Sequence, residues 1–225
     1  MGETAAEAIH QAGGQGPELA VVARVDRWRR LRAATEPVHA GLDQRIMAAD
    51  PFASRARYER FLLVQHAFHR DVDDLYAAPE LGKLLPDLAD RRRLALIERD
   101  LADLGLAPPV AEVAPVCSHD TDLPTALGWL YVAEGSNLGA AFLLKAAAAL
   151  ELSESFGARH LAAAPQGRGL AWRTFTAALD AVALSPDQEM AVDAGAVAAF
   201  ARVQSFVEEY MPAPVDAARS SASIV

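Results

Sequence analysis

Apolar residues recur every three or four positions over most of this chain, and that spacing admits a bundle of amphipathic helices and little else. No alternating apolar and polar run bounded by hairpin turns interrupts it. One helix runs through ELAVVARVDRWRRLRAA, and a continuation starts near TEPVHAGLDQRIM, where Thr35 is placed to cap and Pro37 to sit in the first turn. Further helices read through SRARYERFLLVQHAFHRDVDDLYAA, then DRRRLALIERDLADLG with its glycine stop, then Pro124 to about Leu150. Two more follow in GLAWRTFTAALDAVA and PDQEMAVDAGAVAAFARVQSFVEEYM. The proline-punctuated stretches PELGKLLPDL and GLAPPVAEVAPVCSHDTDLP read as loops. A chain of 225 residues, 52% hydrophobic and 23% charged, is enough for one sizeable core. The expectation is an all-α, single-domain bundle of about seven or eight helices over residues 18–211, with flexible tails at 1–17 and 212–225.

Charge and cysteine content narrow the partners. A formal charge of -9 repels a phosphate backbone, so nucleic acid is not expected, and an anionic ligand has to be met by a local cluster of Arg or Lys. No uninterrupted apolar run reaches the ~18 residues that suggest a membrane span, and the N-terminus lacks a basic region followed by an apolar one. Cys117 has no second cysteine to pair with. These features predict a cytoplasmic protein without disulfides or a membrane partner.

The stretch YVAEGSNLGAAFLLK breaks a local rule. Gly135 and Gly139 lie in the middle of a helix, where each costs about 1 kcal/mol relative to alanine. Gly128, Tyr131, Gly135, Gly139 and Phe142 share one face, with Ser136 and Ala140 at its edge. Such a bare face either lets another helix approach closely or leaves room for a flat ligand, and glycines there also allow a bend. A second feature lies upstream: Val38, Leu42 and Ile46 form an apolar stripe expected to face the core, with His39 beside it and Asp43 one turn further on. His39 is either a satisfied core histidine or a ligand. Arg29, Arg30 and Arg32 just before it, and the carboxylate in reach of the imidazole, favour the ligand. Neutral imidazole is a common axial ligand of haem iron, and haem is a flat macrocycle whose propionates seek cations.

LRAATEPVHAGLD followed far downstream by GWLYVAEGSNLGAAFLLK resembles the haem oxygenases, especially their biliverdin-producing bacterial branch, over roughly residues 25–210. The resemblance implies that His39 is the proximal iron ligand and that Gly135 and Gly139 lie on the distal helix bending over the haem. It implies propionate contacts for Arg32 and Tyr131, with Lys145 a further candidate. Animal-type members carry an aspartate where this chain has Ser136. By resemblance to bacterial members without it, Gln65 and His69 hold a water network that delivers protons, with Arg93 completing it, while His66 lies on another side of that helix.

The activity so implied is oxidative opening of the haem ring to biliverdin, with release of CO and ferrous iron. Haem is then both substrate and cofactor, and the protein supplies orientation and proton delivery. Anchoring by Arg32 and Tyr131 implies the IXα isomer. The chain has no dinucleotide-binding glycine turn. O2 is therefore joined by an external electron donor, a separate reductase or small redox protein, for which Arg91, Arg92 and Arg93 offer a basic patch on an acidic chain. Biliverdin could pass to a bilin-binding photoreceptor, or iron could be the useful product. Three rivals remain at this stage. A haem carrier or sensor would share His39 and the glycines, and a helical interaction module would bind no haem. A di-iron bundle needs Glu-x-x-His twice, and within the expected helical domain, residues 18–211, Glu36 with His39 supplies it once.

Overall fold

The computed structural model describes residues 26–110 and 113–212. Its helices are α1 (Arg27–Ala48), α2 (Arg55–Ala77), α3 (Pro79–Leu84), α4 (Leu94–Asp103), α5 (Leu123–Ala147), α6 (Arg168–Ala181) and α7 (Pro186–Tyr210). Short 3-10 turns lie at Ala89–Arg91, Ala148–Leu150 and Arg159–Leu161, and the described residues form no extended strand. The expected tail at 1–17, the helical stretch from 18 to 25, and the tail beyond Pro212 lie outside the described residues.

Local chemistry explains several helix starts. The Ser54 hydroxyl accepts from the Arg57 N–H at the head of α2, and the Asp122 carboxylate accepts from Thr125 at the head of α5. Ser185 and Gln188 form a reciprocal capping box at the head of α7, with Pro186 in the first turn. Gly105, at φ +75°, takes the left-handed turn that ends α4.

Two expectations are corrected. The segment Arg27–Ala48 is one helix through Thr35 and Pro37, where the sequence suggested a fresh start. Thr35 does not cap; it is buried, and its hydroxyl donates to the Leu31 carbonyl at 2.8 Å. The proline removes one backbone donor, but α1 is tied to the rest of the bundle by other means. The Arg27 guanidinium reaches the Glu189 carboxylate at 2.8 Å and the Val182 carbonyl at 2.7 Å, and Arg30 bridges to Glu189 at 2.7 Å and Asp193 at 3.0 Å. The second correction is α3, which forms inside a presumed loop because Pro79 is preorganised for a first helical turn.

Helix α7 is the spine of the bundle and packs against α5, α1 and α2. It is long and apolar enough to cross a membrane by length and composition alone, with a mean hydropathy of 1.2. Its apolar face is spent inside the bundle, where Val192, Ala196, Ala199, Phe206 and Val207 are buried. The approach of α5 to α7 is backbone to backbone. A Cβ on Gly128 would lie 2.3 Å from the Val192 carbonyl oxygen, and one on Gly195 would lie 2.8 Å from that of Thr125. Gly128 is thus a packing residue.

Candidate functional site

Within the segment from Arg32 to Gly41, α1 is exposed at every position except Thr35. His39 sits on this uncovered stretch with its side chain 58% accessible. Its Nδ1 lies 3.1 Å from Asp43 Oδ2, and its ring meets Phe200 of α7 edge-on at 5.5 Å. One nitrogen is therefore engaged, the ring is braced, and Nε2 is left for a ligand. Of the expected apolar stripe, Leu42 is buried and Ile46 packs on the core. Val38 is 39% exposed, which corrects its assignment to the core: it lies beside His39 on a face that none of the described helices covers.

The second half of α5 shows a matching bareness. Gly139 and Phe142 are exposed and Gly135 is half-buried. A Cβ on Gly139 would meet nothing within 4 Å, and one on Gly135 would touch only the Trp172 ring, at 3.7 Å. The glycine face read from sequence therefore divides, with Gly128 closed against α7 and Gly135 and Gly139 open. The helix is unbroken from Leu123 to Ala147, without the local opening that two glycines allow. Ser136 is exposed, and its hydroxyl donates to the Ala133 carbonyl at 2.7 Å. Lys145 is exposed in the last turn.

The bare stretches of α1 and α5 are linked at Tyr131. Burial raises the pKa of this phenol, while hydrogen bonding with Thr35 and the charge of Arg32 act in the opposite direction. Arg32 is exposed and has no ion-pair partner among the described residues. From this junction His39 is one turn along α1 and Gly135 one turn along α5.

His69 of α2 is buried, and its Nδ1 has no hydrogen-bond partner among the described residues. Burial pushes its pKa down to about 3, helped by His160, Arg93 and His66 nearby, so the ring is neutral. Gln65 is half-buried and has no hydrogen-bond partner among the described residues. Arg93 is partly buried, and its Nη1 donates to the carbonyls of His160 at 3.2 Å and Ala162 at 3.1 Å. His66 is also buried, 4.0 Å from Glu98.

The basic patch at Arg91, Arg92 and Arg93 is corrected, because these side chains are engaged with the protein itself. Arg91 is buried and donates to Glu134 at 2.9 Å, Arg92 is paired with Asp73, and Arg93 Nη1 donates to carbonyls while its buried Nε has no partner among the described residues. The sequence reading missed Phe200, which braces His39, Trp172, which lies beside Gly135, and the buried Glu134. It also missed His160, which is buried with Nδ1 2.8 Å from Asp100. Glu134 carried a signal, since it directly precedes the first of the paired glycines. His160 lies in a stretch with no motif. Among the described residues no group of three or more His, Cys, Asp or Glu is placed to hold a metal, so Glu36 and His39 are not joined into a di-iron site.

Residues 27–209 match the sequence family described as heme oxygenase. The chain is 44% identical over 182 residues to heme oxygenase PigA of Pseudomonas aeruginosa, covering 81% of this chain and 91% of that protein. It is also similar to the solved NO- and CO-bound heme oxygenase of Neisseria meningitidis, with 40% identity and a TM-score of 0.79 over 85% of this chain and 95% of that one.

Proposed function

The chain belongs to the haem oxygenase family, and on that premise we propose that haem is received between the uncovered stretches of α1 and α5 and opened oxidatively to biliverdin, releasing CO and ferrous iron. The observation that carries the site assignment is His39, an exposed imidazole with Nδ1 held by Asp43 and Nε2 without a partner among the described residues. The surrounding residues fit the group. Gly139 leaves open space where a side chain would intrude, and His69 carries an orphaned buried nitrogen that a water can satisfy.

Haem, as substrate and cofactor together, supplies an iron that activates O2 with electrons from an external donor, a separate reductase or small redox protein. The chain's residues do the rest. His39 binds the iron through Nε2, and Asp43 fixes the tautomer and orientation of the ring. Gly135 and Gly139 let the α5 backbone approach the macrocycle more closely than any side chain would permit. Arg32 and Tyr131 hold the propionates, with Lys145 in reserve, and this anchoring favours the IXα isomer. Ser136, its hydroxyl turned to its own helix, presents backbone and not an acid. Proton delivery falls to water held by Gln65 and neutral His69, with Arg93 behind them. The metal the protein binds is thus the haem iron, through His39. We propose a cytoplasmic setting for this reaction; Cys117 is buried, with its thiol pushed up to about 12 by burial. There biliverdin could pass to a bilin-binding photoreceptor.

The test is an absorption spectrum of the purified chain with haemin, followed in air after a reductant is added. Loss of the Soret band with growth of a broad red bilin band, and biliverdin confirmed by chromatography, is the expected result. A stable histidine-ligated spectrum that never bleaches would make the protein a carrier or sensor instead. In the same assay Arg32→Ala should change the isomer mixture, and an unchanged chromatogram would remove Arg32 from the anchoring.

A further inference from the structure

The distal wall has a mechanical problem that its sequence creates. Gly135 and Gly139 have little on the open side to hold them, and Ser136, Leu138, Gly139 and Phe142 are all exposed. The backbone contact with α7 at Gly128 lies two turns upstream of Gly135. Yet close approach to a ligand is useful only if the height of that backbone is fixed to a fraction of an ångström.

Behind the glycines three elements converge on one turn of α5. Glu134 is 5% exposed, and each of its carboxylate oxygens is taken: Oε1 accepts from the Tyr76 hydroxyl of α2 at 2.9 Å, and Oε2 from Arg91 Nη1 at 2.9 Å. Arg91 is itself anchored to α6, donating to the Ala171 carbonyl at 3.2 Å and lying 5.7 Å from the centroid of the Phe175 ring. Three residues on, the Asn137 carbonyl accepts from Arg168 Nη1 of α6 at 3.0 Å, and the other arm of Arg168 reaches the Leu161 carbonyl. Buried charge is costly to place and more costly to unpair, so this arrangement specifies one position of the turn strongly. The side chain immediately before Gly135 is locked from two directions, and the carbonyl two residues after Gly135 from a third.

We propose that Glu134, gripped by Tyr76 and Arg91 and seconded by Arg168 on Asn137, is the positioning residue of the distal helix: it sets the height of the Gly135 to Gly139 backbone over the haem plane and, through it, the geometry of an iron-bound diatomic ligand and the choice of meso carbon. This rests on the reading of the site as a haem site. Glu134 acts through the backbone it carries.

The experiment begins without haem, so that it stands apart from that reading. Backbone hydrogen exchange is compared by mass spectrometry for the full-length wild type, Glu134→Gln, the milder Tyr76→Phe, and the control Arg92→Gln, which breaks an arginine–carboxylate pair that does not involve α5. Peptides covering 135–142 should exchange about tenfold faster in Glu134→Gln and a few-fold faster in Tyr76→Phe. Peptides of α7 from 192 to 207, and the control throughout, should be unchanged. Uniform acceleration across α2, α5 and α7, or none at 135–142, overturns the proposal. In the haem-loaded variants, the C–O stretch of the CO-bound ferrous form and the biliverdin isomer ratio should both shift while the Soret position stays that of the wild type. If neither shifts, the frame is only structural and the positioning role falls. Local acceleration in a chain that takes up no haem would leave the frame standing and overturn the functional reading instead.

Discussion

Gly128 and Gly139 lie on the same face of α5 under opposite constraints, and alanine separates them. At 128 the new methyl would press into the α7 backbone at 2.3 Å, which cannot yield as a flexible side chain would. Gly128→Ala should therefore cost about 3 kcal/mol or more by overpacking. At 139 the methyl meets open space, and only helix propensity acts on the haem-free protein. Gly139→Ala should gain up to about 1 kcal/mol in urea unfolding followed by circular dichroism, while slowing haem turnover. Equal destabilisation of both would show that 139 is also a packing position. His39 allows a similar separation of fold from function. Its side chain is 58% accessible and its neighbours are Asp43 and Phe200, so His39→Ala should change stability by no more than about 0.5 kcal/mol. The same variant should lose the imidazole-ligated haem spectrum and turnover, and a fully active variant would overturn the ligand assignment.

Among the elements, α2, α5 and α7 were legible because their caps are local: Ser54, Asp122 and the Ser185 box each lie within three residues of the N–H they satisfy. Helix α1 was misread at Thr35 and Pro37 because its continuity is settled by tertiary contacts, the grip of Arg27 and Arg30 on Glu189 lying 162 and 159 residues away. Distance along the chain also hid the role of Arg91 and Arg92, whose carboxylate partners are 43 and 19 residues distant. A run of three arginines looks like a surface patch until those partners are known. The Arg27–Glu189 link gives a test at this scale. Arg27 is 3% exposed, so Glu189→Ala leaves a buried guanidinium with only the Leu179 and Val182 carbonyls, and breaking such a pair costs about 3 kcal/mol or more. The loss should appear in unfolding midpoints and as faster amide exchange over Arg27–Ala48. A variant as stable as the wild type would mean that the bridge to Glu189 does not seat α1.

For the whole molecule, the proximal and distal faces were legible because motifs carry them, while the polar interior was not, because His160, Asp100, Glu134 and Tyr76 come together only on folding. That interior sets how the protein responds to acid. His66, His69 and His160 all have lowered pKa values, chiefly through burial, and His69 is pushed down to about 3 from an ordinary 6.5. Below pH 6.5 the unfolded chain binds protons that the folded chain refuses, so stability must fall as the pH drops. For His69 the fall continues until about pH 3, where the folded state also accepts the proton. Glu189, held at about 2 against an ordinary 4.5 by Arg27 and Arg30, adds a loss of the same sign as the pH falls through that lower window. Between pH 6.5 and 4.5 the buried histidines therefore act ahead of Glu189. Each proton refused contributes a slope of about 1.4 kcal/mol per pH unit. His69→Gln removes one such group and keeps a polar side chain at the site, so its stability, from urea unfolding at pH 7.5 down to 4.5, should decline less steeply by as much as one proton. A slope identical to that of the wild type would mean that His69 is protonated in the folded state, and a neutral histidine could then no longer hold the water proposed for proton delivery.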